Sequence, residues 1–155
     1  MITTPQLIAK YGKPTQDGKA YLVTIALPFP MRLAWDKNTV INKMRCHRLV
    51  ANQFSAVFSE ILQVYGYKKI VELGIDLYGG CFNFRAMRGG SDYSRHSWGV
   101  AIDLDPERNQ LKETSATARF ARSEYKPMID IFYKYGFESL GREKNYDWMH
   151  FQVKS

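Results

Sequence analysis

Ser94-Arg95-His96-Ser97-Trp98-Gly99-Val100-Ala101-Ile102-Asp103-Leu104 passes from a polar loop into a strictly alternating run. Val100, Ile102 and Leu104 share one face of the strand that this pattern predicts, and Ala101 and Asp103 share the other. The apolar face belongs against a core, which leaves Asp103 on the open face of a sheet, a short distance from His96. Gly99 allows the chain to turn from the loop into the strand, so that both side chains can point at one spot. A second element of this kind is Asp147-Trp148-Met149-His150-Phe151-Gln152, where a short strand over 149–153 carries His150 and Gln152 on one face. Two histidines and an aspartate, with a further carboxylate three residues before the second histidine, make a zinc-hydrolase set. Three side chains bind the ion, one coordination position stays open, and one carboxylate serves as general base.

Around this set the chain alternates predicted helices and strands. A helical turn over 6–11 leads to a loop and then to a strand over 20–27 that Pro28 and Pro30 end. From Val40 to Tyr65, apolar residues recur every three or four positions, which predicts one long helix. Asp36 or Asn38 caps its start and Gly66 stops it. His47 falls on the apolar face of that helix and reads as a hydrogen-bonded core residue. Strands over 70–78 and 81–85 follow, joined by Gly79-Gly80 as a tight hairpin. Phe82 and Phe84 face one way there, and Asn83 and Arg85 face a groove. Residues 107–118 read as a surface loop, 120–135 as a helix that truly begins near Pro127, and 138–146 as a polar loop. The expected fold is α+β: a small, mostly antiparallel sheet with the ligands on one face and two main helices on the other.

The length of 155 residues suits one catalytic domain spanning 1–155, and 45% apolar content suits a packed core. No run approaches the roughly 18 apolar residues of a membrane span, and the first residues lack the pattern of a secretory signal. Cys46 and Cys81 are too few for a disulfide framework and read as free, partly buried thiols outside the zinc set. A net charge of +7 favours an anionic partner, but the basic residues are scattered and form no nucleic-acid motif.

The pattern Ser94, His96, Gly99, Ala101 and Asp103, followed by Asp147 and His150, resembles the zinc D,D- and L,D-peptidases that cleave peptidoglycan. That group includes the vancomycin-resistance dipeptidases, and the similarity is greatest to its phage endolysin branch. The resemblance covers roughly residues 31–153 and extends through Gly79-Gly80-Cys81-Phe82-Asn83-Phe84-Arg85-Ala86-Met87-Arg88-Gly89-Gly90. It implies a hedgehog/D,D-peptidase-like fold, zinc ligands His96, Asp103 and His150, and Asp147 as the catalytic carboxylate. Ser94 would support the site or touch substrate. The family's substrate-holding arginine would be Arg85 or Arg88, with Arg85 preferred for its groove-facing position. Trp98 and Trp148, each beside a ligand, read equally as core or as walls of the cleft.

The resulting expectation is a monomeric zinc peptidase of the peptidoglycan stem, an L-alanyl-D-glutamate endopeptidase acting as a phage endolysin. It would be made in the host cytoplasm and would reach the wall after release, without membrane insertion or nucleic-acid binding. A D-alanyl-D-alanine carboxypeptidase would use the same metal site. A non-catalytic zinc module that binds the wall would have no need of Asp147.

Overall fold

In the computed structural model, residues 1–87, 90 and 92–155 are described. The elements run α1 (Thr4–Tyr11), β1 (Leu22–Leu33), β2 (Asp36–His47), α2 (Ala51–Tyr65), α3 (Tyr67–Leu73), β3 (Leu77–Gly80), β4 (Ala101–Leu104), α4 (Lys126–Lys134), β5 (Phe137–Ser139), α5 (Leu140–Lys144) and β6 (His150–Val153). One six-stranded sheet has the order β2-β1-β3-β4-β6-β5. Among the described residues only the β1–β3 pair is parallel, so the sheet is mixed but mostly antiparallel. The α+β expectation holds.

The core lies between the sheet and helices α2 and α4. Ile102 of β4 and Phe151 of β6 are register partners and fully buried. Phe151 stacks on Phe132 of α4 with ring centroids 4.0 Å apart, and Phe54 of α2 meets Phe137 of β5 at 4.5 Å. Aromatic pairs of this kind contribute about 0.5–1.5 kcal/mol each beyond the burial of their area. Alternation then sends the other residues of β4 and β6 to the opposite face. That opposite face carries the candidate site.

Several local expectations are corrected. The strand expected to end at Pro28 continues to Leu33, with Leu27, Phe29 and Met31 buried and both prolines exposed. The prolines sit in a register shift between Ala26 and Met31, where the ladder does not need their missing N–H groups. Residues 36–47 form β2, not the first half of a long helix. Val40, Ile41 and Met44 imitate a helical period, but the β-branched run Thr39-Val40-Ile41 and the alternating burial of Met44 and Cys46 suit a strand.

Gly66 does end α2; of the strand expected over 70–78, residues 70–73 belong to helix α3 and 77–78 to β3. The hairpin at Gly79-Gly80 is absent. These glycines belong to β3, and a side chain on Gly79 would lie 2.9 Å from the backbone oxygen of Asp103. Their smallness lets β3 lie close against β4 at the site. Residues 81–85 form no strand, and the supposed loop 138–146 contains parts of β5 and α5. Elements of three to five residues are too short to show a period. Helix α4 begins at Lys126 with Pro127 in its first turn, as expected.

His47 is buried, as its place among apolar residues suggests, although on a strand. Its Nδ1 accepts a hydrogen bond from the Leu49 N–H at 3.1 Å, so Nε2 carries the proton given to the Tyr11 carbonyl at 2.9 Å. Burial pushes its pKa below the usual 6.5 and the Arg48 charge adds to this, outweighing the Tyr11 hydrogen bond. With a depressed folded pKa, the unfolded chain takes up the proton first as pH falls. The stability contributed by neutral His47 is therefore complete above about pH 6.5 and is lost as pH falls below it. Urea unfolding of the wild type and of His47→Gln between about pH 7.5 and pH 5.5 should show a smaller loss of stability in the variant. Equal slopes would contradict this account.

Candidate metal centre

Asp103 and His150 are direct partners across the antiparallel β4–β6 pair. Residues so placed share a face with their Cβ atoms about 4.5–5.5 Å apart, and here Asp103 Oδ1 lies 3.1 Å from His150 Nδ1. His96 reaches the same spot from a single 3-10 turn, Arg95–Trp98. Ser94 caps that turn, its hydroxyl accepting the His96 N–H at 3.3 Å. Gly99 ends it at φ 69, and a side chain there would meet the His47 backbone nitrogen at 2.9 Å. This left-handed turn aims His96 and Asp103 at one point.

Each histidine presents one nitrogen to the site. His96 Nδ1 donates to the Cys81 carbonyl at 2.8 Å, which leaves the lone pair on Nε2. That Nε2 is buried and has no hydrogen-bond partner. It lies 3.1 Å from Asp103 Oδ2 without the alignment of a hydrogen bond. A buried acceptor facing a carboxylate is unfavourable unless a cation or proton lies between them. Donor atoms of His96, Asp103 and His150 all lie within 4.8 Å of one another. Two imidazoles and one carboxylate form a donor set of the kind that holds catalytic zinc, so these residues fit the ion.

Burial alone would raise the pKa of Asp103, but the charges of His96 and His150 and the hydrogen bond with His150 outweigh it and hold the carboxyl well below the usual range. Burial would lower His150; its hydrogen bond to Asp103 and the charges of Asp103 and Asp147 raise it instead. A proton and a metal ion therefore compete for the same place.

The site opens into a cavity of about 220 Å³ whose lining includes Arg85, Ser94, Asp147 and all three donors. A larger cavity of about 750 Å³ shares Asp103, Leu111 and Met149 with it. The two cavities adjoin at these three residues. Asp147 sits at φ 53, its N–H donating to Leu111 O at 2.8 Å and its carbonyl accepting from the His150 N–H at 3.0 Å. The backbone of Arg85 is held by Ser97 and Ser94, and its guanidinium donates to the Ala86 carbonyl at 3.2 Å. Arg88 lies outside the described residues.

Cys46 and Cys81 are buried free thiols, although the Cys81 carbonyl orients His96. Trp98 and Trp148 belong to the core. The Trp98 indole donates to Gly12 O at 2.6 Å, and Trp148 lies on Gly141, where any side chain would clash with its ring. Arg95, which sequence reasoning passed over, lines the cavity and donates to Ile2 O at 2.6 Å. Gln152 and Glu138 stand behind His150. Gln152 was legible as a neighbour on the same strand face, whereas Glu138 lay in an expected loop.

Among the described residues, no helix is long and apolar enough to cross a membrane. Residues 88–153, a little under half of the chain, match the family model of D-alanyl-D-alanine carboxypeptidase. This span includes His96, Asp103, Asp147 and His150. The match makes this part of the chain similar to that carboxypeptidase family. Neither the curated proteins nor the solved structures gave a match.

Proposed function

We propose that the chain is a zinc-dependent peptidase that hydrolyses the peptide stem of peptidoglycan. The observation that carries this reading is the convergence of His96, Asp103 and His150, with a bare buried nitrogen among them, in a groove that also holds Asp147. The three would hold zinc, which when bound polarises a scissile carbonyl and makes water acidic enough to attack at neutral pH. Asp147 takes the proton of the attacking water and returns it to the leaving amine. Arg85 supports the negative charge that develops on the carbonyl oxygen. Ser94 acts through the turn it caps, keeping His96 in place.

Between the bonds such an enzyme can cut, we favour L-alanyl-D-glutamate, and with it the role of a phage endolysin that acts as a monomer on the wall after release. A second, larger cavity that adjoins the site at Asp103, Leu111 and Met149 suits a substrate longer than a terminal dipeptide. The net charge of +7 suits an anionic envelope. The match to the D-alanyl-D-alanine carboxypeptidase family favours the second reading, removal of the terminal D-alanine. Digestion of purified sacculi, with the products identified by mass spectrometry, separates them. An endopeptidase exposes new D-glutamate amino termini, a carboxypeptidase releases free D-alanine, and a digest showing neither refutes both.

A further inference from the structure

We propose that Glu138 is a positioning residue that acts through Gln152 to decide which ring nitrogen of His150 is left for a cation. The inference rests on the reading of His96, Asp103 and His150 as metal ligands. Glu138 and Gln152 are register partners on β5 and β6, and Gln152 stands two residues from His150 on the same strand face. All three side chains are buried, at 4%, 3% and 7% exposure. Gln152 Nε2 donates to Glu138 Oε2 at 3.0 Å, and Gln152 Oε1 lies 3.0 Å from His150 Nε2.

The direction of this chain of hydrogen bonds follows from the chemistry of its far end. A glutamine amide can offer a neighbour either its oxygen or its NH₂. Had Gln152 offered its NH₂, His150 Nε2 would have to accept. The imidazole proton would then sit on Nδ1, the nitrogen that faces Asp103 and the site, and no lone pair would remain there for a metal. An ionised carboxylate only accepts. Glu138 therefore draws the NH₂ of Gln152 toward itself and turns the oxygen toward His150. Nε2 must then carry the proton, and Nδ1 is the ligand. Arg95, which lines the cavity, interacts electrostatically with Glu138. A buried carboxylate costs stability, and the relay gives this one a use.

The test compares wild type, Glu138→Gln, and the double swap Glu138→Gln with Gln152→Glu, using zinc ion alone as the probe. Glu138→Gln keeps the shape and removes a buried charge, so the fold should survive; urea unfolding in chelator checks this. Zinc affinity, measured by competition with a chromophoric chelator, should fall roughly 10–100-fold, the usual effect of losing an outer partner of a metal-bound histidine. In the double swap the carboxylate sits directly on His150 Nε2, and most of the affinity should return. Nitrogen-resolved NMR of the zinc-loaded wild type should show the His150 proton on Nε2. Undiminished affinity in Glu138→Gln, a double swap no better than the single variant, or a proton on Nδ1 would overturn the relay. A wild type that takes up no zinc would overturn the metal reading itself, and the relay with it.

Discussion

Asp103→Ala is expected to abolish metal binding and hydrolysis together while leaving the fold intact. Asp103 is the only carboxylate in the donor set, and its two oxygens lie 3.1 Å from His150 Nδ1 and from His96 Nε2. Without it, two neutral imidazoles would face a divalent ion with no opposite charge to offset the loss of its water shell. The loss of affinity should exceed the roughly 10–100-fold that follows removal of an outer partner. The strand itself has other supports. Ile102 and Leu104 are fully buried, and the backbone pairing of β4 with β6 does not involve the Asp103 side chain. Elemental analysis of the purified variant, with circular dichroism as the check on folding, gives the answer. A variant that keeps both zinc and activity would remove Asp103 from the centre.

Asp147→Asn should have the opposite signature: zinc retained, fold retained, and turnover reduced about 10²–10⁴-fold, the usual worth of a general acid–base group. Asparagine is the appropriate probe because Asp147 holds a left-handed backbone at φ 53, which asparagine tolerates and alanine resists. The two backbone hydrogen bonds to Leu111 and His150 survive the change. The change removes the carboxylate's charge and with it the capacity to take a proton. Near-normal turnover of stem peptides would refute the role given to Asp147, and loss of zinc would make it a structural support instead.

The site was more legible in the sequence than the path of the chain around it. The alternation of Val100 to Leu104 and the placement of His150 and Gln152 on one strand face are period-2 signals against a buried opposite face, and both survive in the fold. His96 could be paired with them because a glycine follows it at the turn. By contrast, 36–47 misled because Val40, Ile41 and Met44 fit a helical spacing although Val40 is exposed. Pairing with β1 decides that segment, and a linear pattern does not show which strand lies alongside it. Glu138 was missed for a related reason. A three-residue strand has no period to read, and its neighbour Gln152 becomes visible only when β5 and β6 are laid side by side.

The rung that joins Asp103 to His150 also bears on how the chain finds its pairing. Sliding β6 by a single residue would carry Phe151 into the wet groove and bury His150 among the phenylalanines of the opposite layer. Slipped forms of the sheet would hold no more than part of the donor set. An ion present during refolding would therefore act as an arbiter of alignment, withdrawing by mass action only those chains whose strands are in step.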